Sequence, residues 1–169
     1  MKKVILGATG SIGSSLAKKL VESGEQVHLV GRDEASLSEL ANELNSTFTT
    51  CDVLEENFSE KIVNDLKDEQ VNGLAYCVGS IDLKPLKLTK KSDFMQSFNL
   101  NLVSATEIIK SLADNLKASK GSIVLFSTVA VQQGFPNHAI VSSAKGAVEG
   151  LTLALAAEYA PNIRVNCIA

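Results

Sequence analysis

The sequence predicts an α/β domain in which a parallel β-sheet of about six strands lies between two layers of helices. Two observations lead to this fold class. Short, continuously apolar runs alternate along the chain with longer segments in which apolar residues recur at helical spacing. In addition, a glycine-rich turn directly follows the first apolar run. Strands without alternating polar positions are buried on both faces, which is typical of parallel sheets covered by helices.

Six apolar runs are predicted as strands, and a helical pattern separates most of them. The first helix is predicted to end at Gly24, and Asp33 is predicted to cap the start of the second. Right-handed crossovers between parallel strands then predict a doubly wound sheet in the order 3-2-1-4-5-6, with helices on both faces. The predicted strands are 3–6, 27–30, 47–51, 73–78, 123–126 and 163–168.

Two of the predicted helices are long, and two segments are predicted as loops. The long helices cover 92–116 and 139–159, and the second carries alanine and leucine on most of its faces. The predicted loops cover 80–90 and 127–136. A helix that is apolar on most faces is buried on most faces, either within one chain or against a second subunit. We expect a homo-oligomer formed through the two long helices.

Composition limits the classes of partner. The 169 residues are 45% hydrophobic and 21% charged, which is typical of one globular domain over 1–169. A net charge of −3 offers no basic surface to nucleic acid or to an anionic membrane. No uninterrupted apolar run reaches the roughly 18 residues that span a bilayer. We therefore expect a small-molecule ligand, and neither a nucleic acid nor a membrane as partner.

The cysteines predict neither a metal site nor a disulfide framework. Cys51, Cys77 and Cys167 are far apart in the sequence, and none belongs to a CxxC pair. Each ends or interrupts an apolar run, so we expect buried free thiols. Free thiols indicate a reducing compartment, and the predicted location is the cytoplasm.

The turn after the first strand has the spacing of a dinucleotide site. Gly7 permits a tight exit from the strand, and Gly10 and Ser11 bring backbone N–H groups close to a pyrophosphate. Gly13 lets the following helix pack against the strand, and the helix N-terminus carries partial positive charge. The alternative is a turn that only needs glycine conformations.

The end of the second strand bears on the choice of cofactor. Gly31 cannot repel a 2′-phosphate, and Arg32 can pair with one through a charge-assisted contact. The sequence therefore favours NADP(H) over NAD(H). If Arg32 is only a solvated charge and Asp33 contacts the ribose, NAD(H) is the cofactor.

Further motifs follow along the chain. Together with the glycine turn and Arg32, they resemble the short-chain dehydrogenase/reductase family over essentially the whole chain. Each motif is weak alone, but their order is that of the family. The resemblance implies a Rossmann fold, a nicotinamide cofactor and an oxidoreductase acting on carbonyl or alcohol groups. The motifs are the Gly7–Gly13 turn, Arg32, Asp52 as the adenine-contacting aspartate, Tyr76-Cys77-Val78-Gly79, Asn101, Ser127-Thr128, Val141-Ser142-Ser143-Ala144-Lys145 and the ending 164–169.

The resemblance also assigns residues to roles. It implies Asn101, Thr128 and Lys145 as catalytic residues. The family normally continues with a substrate loop, a helix and a seventh strand, which this chain is expected to lack. The implied cofactor-binding residues are Gly7, Thr9, Gly10, Ser11, Ile12, Gly13, Arg32, Asp52, Val53, Cys77, Val78, Gly79 and Lys145.

One position departs from the family pattern in a way that affects the chemistry. In the family, a tyrosine gives a proton to the carbonyl, and a lysine four residues later lowers the pKa of that tyrosine. Here Val141 stands in the tyrosine position, and valine cannot transfer a proton. The paired serine position carries Thr128, whose hydroxyl can still donate a hydrogen bond.

Three hypotheses follow from this departure. The first is an oxidoreductase with a relocated proton donor, for which His138 and Tyr76 are candidates. The favoured alternative for His138 is a loop histidine with ordinary hydrogen bonds. The second is a catalytically inactive dinucleotide-binding sensor or partner subunit. The third is a structural module without a ligand, and the intact glycine turn, Asn101 and Lys145 argue against it.

Overall fold

A computed structural model describes residues 1–67 and 69–169 and contains a six-stranded parallel sheet in the order β3-β2-β1-β4-β5-β6. The predicted fold class and strand order are confirmed. The elements are β1 (Lys2–Leu6), α1 (Ser11–Glu22), β2 (Gln26–Gly31), α2 (Glu34–Leu44), β3 (Thr47–Thr50), α3 (Phe58–Leu66), β4 (Val71–Tyr76), a 3₁₀ turn (Leu86–Leu88), α4 (Lys91–Phe98), a π-helical turn (Asn99–Val103), α5 (Ser104–Ala118), β5 (Ser122–Phe126), α6 (Ala130–Gln133), α7 (Ala139–Tyr159) and β6 (Arg164–Ile168).

Two hydrophobic cores lie on opposite faces of the sheet, because successive side chains of a strand point to opposite sides. On β1, Val4 and Leu6 belong to the larger core, whereas Ile5 belongs to the smaller one. Helices α3, α5 and α7 cover the larger core, and α1 and α2 cover the smaller. Helices therefore lie on both faces, as predicted.

The predicted helix 92–116 is interrupted by the π-helical turn. A π turn releases backbone carbonyls from the regular hydrogen-bond ladder, and two side chains bind the released groups here. The Tyr76 hydroxyl donates to the Leu100 carbonyl at 2.7 Å, and the Ser104 hydroxyl donates to the Asn99 carbonyl at 2.8 Å. One of these partners lies on β4, far away in the sequence, so apolar spacing along the helix could not predict the turn.

Two other boundaries differ from the prediction. The fourth strand is Val71–Tyr76 rather than 73–78, so Cys77 and Val78 belong to the loop that follows it. The predicted loop 127–136 contains α6, a single helical turn. The Thr128 hydroxyl accepts a hydrogen bond from the Ala130 N–H at 3.3 Å at the start of this turn. A helix of four residues is too short to produce a periodic pattern.

Judged by length and composition alone, helix α7 could cross a bilayer. Of the 18-residue segment that meets this criterion, 33% is buried. Lys145 and Glu149 interrupt its sequence, so no continuous apolar run marks it. The helix contacts β6, α4 and the π turn, and Val148 enters the larger core. These contacts are those of a helix in the layer beside a sheet.

A polar network lies beneath the edge of the sheet around His28, whose side chain is buried. Its Nδ1 lies 2.8 Å from the Thr47 hydroxyl and its Nε2 lies 2.9 Å from the Thr49 hydroxyl. Thr49 donates its own proton to the Asp65 carboxylate at 2.7 Å, so Nε2 must be the donor towards Thr49. This chain of hydrogen bonds uses the neutral imidazole. Burial, with a contribution from Lys2, lowers the pKa of His28 to about 4, against the opposing influence of Asp65 and Glu69.

The His28→Gln variant is expected to remove part of the acid sensitivity of the fold. Below pH 6.5 the unfolded chain binds a proton at this position, whereas the folded chain does so only near pH 4. The contribution of His28 to the free energy of unfolding is therefore fully present above pH 6.5. It is lost as the pH falls, by roughly 3 kcal/mol at most. Urea unfolding at pH 7.5 and 4.5 measures this loss in both proteins. An equal loss in the variant would show that His28 does not cause it.

Candidate active site

The glycine turn lies where β1 and β4 end side by side, and close packing requires two of its glycines. Gly7 has a φ of +73°, and a Cβ there would lie 2.9 Å from the Cys77 carbonyl carbon and oxygen. A Cβ on Gly13 would overlap the Gly7 carbonyl oxygen and lie 2.9 Å from the Ala8 Cα. The first residues of α1 can approach the end of β1 only because these side chains are absent.

Among residues 1–67 and 69–169, no side chain competes for the N-terminus of α1. The N-cap residue is Gly10, which forms no side-chain cap hydrogen bond, and the first turn contains no acidic residue. By contrast, the Asp33 carboxylate caps α2 by accepting from the Ser36 N–H at 2.8 Å, as predicted. The unpaired N–H groups of α1 are therefore available to an anion.

A cavity of about 380 Å³ opens in front of this helix terminus. It is bounded by the ends of β1, β2 and β4 and, across the cleft, by Gln96 and Leu100. Ser11 and Gly13 lie in the first turn of α1 beside it. Nine of the residues predicted to bind a cofactor line the cavity: Gly7, Thr9, Gly10, Arg32, Asp52, Val53, Cys77, Val78 and Gly79.

Several lining residues were not predicted from the sequence. Gln96 on α4 and Leu100 on the π turn face the cavity from the predicted helix 92–116, in which the sequence singles out only Asn101. Leu54 and Ser80 follow the ends of β3 and β4. No sequence motif marks these positions. They line the cavity because the chain crossover brings α4 over the ends of the strands.

The rim of the cavity carries two charged residues with different surroundings. Arg32 is exposed at the end of β2. Asp52 is half-buried, and its Oδ1 accepts from the Leu54 N–H at 3.0 Å. The neighbouring Asp33 is committed to capping α2, and its hydrogen bonds with Ser36 lower its pKa. Arg32 is thus the charged side chain that lines the rim at this strand end.

A second cavity, of about 280 Å³, adjoins the first and shares Cys77, Val78, Gly79 and Ser80 with it. It brings together residues that are distant in the sequence. Ile12 comes from the first turn of α1, Thr128 follows β5, and α7 supplies Val141 and Lys145. His138, at the N-cap of α7, lines it as well.

Asn101 and Lys145 both lie against Gly79, in the loop after β4. A Cβ on Gly79 would lie 3.0 Å from the Asn101 Oδ1 and 3.3 Å from the Lys145 Nζ. Asn101 is 1% exposed, and its Nδ2 donates to the Ser97 carbonyl at 2.9 Å. Its Oδ1 has no partner among residues 1–67 and 69–169. A buried acceptor without a donor is costly, so this atom points to a bound hydroxyl or water.

Burial also changes the acid–base properties of this region. It lowers the pKa of Lys145, while the nearby thiols of Cys167 and Cys77 oppose that change. It raises the pKa of the Cys77 thiol to about 12. Cys51 is a buried free thiol as predicted, whereas Cys77 and Cys167 are only half-buried.

The hypothesis that Tyr76 faces the cleft as a proton donor is wrong. Tyr76 is 3% exposed and belongs to the larger core, where its hydroxyl binds the Leu100 carbonyl. Burial raises the pKa of this hydroxyl far above its ordinary value. Tyr76 is the last residue of β4, and its side chain packs in the larger core and supports the π turn instead.

Comparisons with known proteins identify the family. The family model described as Enoyl-(Acyl carrier protein) reductase matches residues 7–169. The chain belongs to the short-chain dehydrogenase/reductase family. A solved structure described as a short chain dehydrogenase/reductase family protein superposes with a TM-score of 0.92 at 25% identity, covering 99% of this chain and 72% of that one.

Two curated relatives show how much of a family member the chain represents. The L-fucose dehydrogenase of Oryctolagus cuniculus is 32% identical over 170 residues, which cover 98% of this chain and 60% of that protein. The L-xylulose reductase of Bos taurus is 31% identical over 173 residues, covering 99% of this chain and 69% of that protein. The chain therefore spans about three fifths to two thirds of the length of these relatives.

A Gly13→Ala substitution is expected to destabilise the fold by about 1–3 kcal/mol, because the new methyl group overlaps the Gly7 carbonyl. Gly150→Ala in α7 is the matched control, since a Cβ there meets nothing within 4 Å. That control is expected to be stabilising by about 0.5–1 kcal/mol through helix propensity. Urea unfolding compares the two variants. Similar effects of both would contradict the packing role of Gly13.

Proposed function

We propose that this chain is the cofactor-binding part of an NADP(H)-dependent oxidoreductase that interconverts carbonyl and alcohol groups of small molecules. One observation carries the proposal. The free N-terminus of α1 opens onto a cavity that runs from Arg32, past the ends of β1 and β4, into a second cavity that holds Lys145 and Thr128. An elongated ligand with a central diphosphate fits this arrangement.

The residues present fit a nicotinamide dinucleotide. The N–H groups of the first turn of α1 would bind its diphosphate, and Asp52 and Val53 would bound its adenine end. Lys145 and the Asn101 Oδ1, both next to Gly79, would hold hydroxyl groups at the other end. When bound, the cofactor supplies or accepts a hydride. Thr128 would orient the oxygen of the substrate through its hydroxyl.

The preference for NADP(H) rests on the end of β2. Arg32 is available to a 2′-phosphate at the rim, and Gly31 beside it adds no negative charge. Asp33, the acid that would favour NAD(H), already binds the Ser36 N–H. NAD(H) would bind the same cavity without the contact to Arg32.

The names of the two curated relatives refer to sugars, fucose and xylulose. Small polyhydroxylated carbonyl compounds are therefore the first substrate class that we propose to test. The second candidate function is a catalytically inactive dinucleotide-binding sensor or partner subunit. It is favoured by one observation, the apolar Val141 in the second cavity beside Lys145.

We also propose a cytoplasmic location and a homo-oligomer. All three thiols are free, which suits a reducing compartment. The two long helical segments expose apolar side chains, with Leu153 on α7 75% exposed and Met95 on α4 52% exposed. Exposed apolar groups on neighbouring helices are typical of subunit contacts.

Arg32→Ala is expected to weaken NADPH binding roughly 10-fold and to leave NADH binding unchanged, because only NADPH carries the phosphate that Arg32 would pair with. Isothermal titration calorimetry with both nucleotides measures this effect. Lys19→Ala, which removes an exposed cation of α1 outside both cavities, is the control. Equal weakening of both nucleotides by Arg32→Ala would contradict the assignment.

Leu153→Glu is expected to shift the protein towards the monomer, because it places a charge in the proposed contact between subunits. Sedimentation velocity over a range of protein concentrations measures the change. Leu86→Glu changes a similarly exposed leucine (67%) outside the two long helices and is expected to have no effect. A wild-type protein that is monomeric throughout would refute the proposed oligomer.

A further inference from the structure

The proposed reduction requires a proton for the carbonyl oxygen, and Val141 cannot supply it. We propose that His138 is the catalytic acid and base of this site, a role that rests on the oxidoreductase function proposed above. His138 and Val141 both line the second cavity, together with Thr128 and Lys145. His138 stands three residues before Val141 at the start of α7, so the two side chains project from the same side of the helix.

The other ionisable side chains near this cavity are less suited to the task. The Cys77 thiol is held protonated by burial, with a pKa of about 12, and Tyr76 lies in the core with its hydroxyl on the Leu100 carbonyl. Lys145 lies against Gly79, on the cofactor side of the cavity. Imidazole is the side chain whose two protonation states are both accessible near neutral pH.

Hydroxyl groups can orient the substrate oxygen but do not replace an acid. Ser127 donates its proton to the Glu149 carboxylate. Thr128 accepts from the Ala130 N–H, which leaves its proton free to hydrogen-bond the substrate. An alkoxide left on either residue would be strongly disfavoured at neutral pH, so neither can serve as the proton source without a relay.

The surroundings of His138 fix which nitrogen can act. Its Nδ1 lies 2.8 Å from the Pro136 carbonyl, which can only accept, so Nδ1 carries a proton in the neutral ring. Nε2 has no hydrogen-bond partner within the part of the chain that the structure describes. The ring also packs against Phe135, with centroids 5.4 Å apart, which restricts its rotation. Nε2 is therefore the exchangeable position.

His138 would donate a proton in reduction and accept one in oxidation. In reduction, the carbonyl carbon of the substrate would accept a hydride from bound NADPH, and the cofactor would thereby be oxidised to NADP⁺. The π-electron pair of the carbonyl moves to oxygen, and this oxygen takes the proton from Nε2 of the His138 imidazolium. The neutral imidazole is then reprotonated from solvent. In oxidation, neutral Nε2 accepts the hydroxyl proton while the hydride passes from the alcohol carbon to NADP⁺.

A kinetic experiment on the 169-residue chain tests the assignment with His138→Asn. The probes are NADPH with diacetyl, ethyl acetoacetate and L-xylulose. The variant is expected to lose about 100-fold or more in kcat, the range typical of general acid catalysis, while its NADPH affinity by calorimetry stays within about twofold. Gln133→Ala, an exposed residue of α6, is the matched control and is expected to keep wild-type activity.

A nuclear magnetic resonance experiment gives a readout that does not depend on activity. Long-range ¹H–¹⁵N spectra, assigned by comparison with His138→Asn, are expected to show the neutral ring protonated on Nδ1. In the wild-type chain, kcat for reduction is expected to fall as the pH rises, because the proposed donor is the imidazolium form, whose titratable neighbours in the cavity are Lys145 and Cys77. His138→Asn is expected to lack that fall.

The outcomes separate the donor assignment from the proposed function. NADPH binding with turnover that His138→Asn reduces less than 100-fold overturns the role of His138 and leaves the oxidoreductase function standing. NADPH binding without turnover of any probe overturns the role of His138 and supports the inactive sensor. A wild-type chain that does not bind NADPH overturns both proposals. A neutral ring protonated on Nε2 contradicts the proposed geometry.

Discussion

The close packing of the first turn of α1 against the ends of β1 and β4 is the constraint on which the rest of the site depends. Gly13 approaches the Gly7 carbonyl, and Gly7 approaches the backbone of Cys77, at distances that no side chain tolerates. This packing aims the uncapped N-terminus of α1 at the cleft. It also places the loop after β4, from Cys77 to Ser80, as the wall that both cavities share.

The residues that line the two cavities are suited to different tasks. The first has the features of a dinucleotide site: free N–H groups, glycine surfaces and a cation at the rim. The second carries the groups that would meet a substrate, and Val141 makes one wall of it apolar. The π turn joins the two halves, because it places Leu100 in the first cavity and turns the Asn101 Oδ1 towards Gly79 at their junction. Tyr76 and Ser104 stabilise that turn from the core.

Membership of the family and the fold followed from local patterns. Apolar runs and helical spacing were enough to predict six parallel strands and their order, because burial on both faces and right-handed crossovers leave few arrangements. Asp33 was recognised as a cap from its position alone. The sequence failed where a contact joins distant segments. The π turn depends on Tyr76 of β4, and Tyr76 was itself misplaced because its side chain packs in the larger core, which only the folded chain assembles.

The sequence by itself determined the glycine turn, the strand order and the residue types available for chemistry, since these depend on backbone sterics and on periodic burial. Only the tertiary structure decided which of those residues meet. Thr128, His138 and Lys145 share a cavity because the N-terminal turns of α7 lie beside the end of β5. The Asn101 Oδ1, which has no partner within the described part of the chain, was equally invisible in the sequence, because hydrogen-bond satisfaction depends on neighbours supplied by the folded chain.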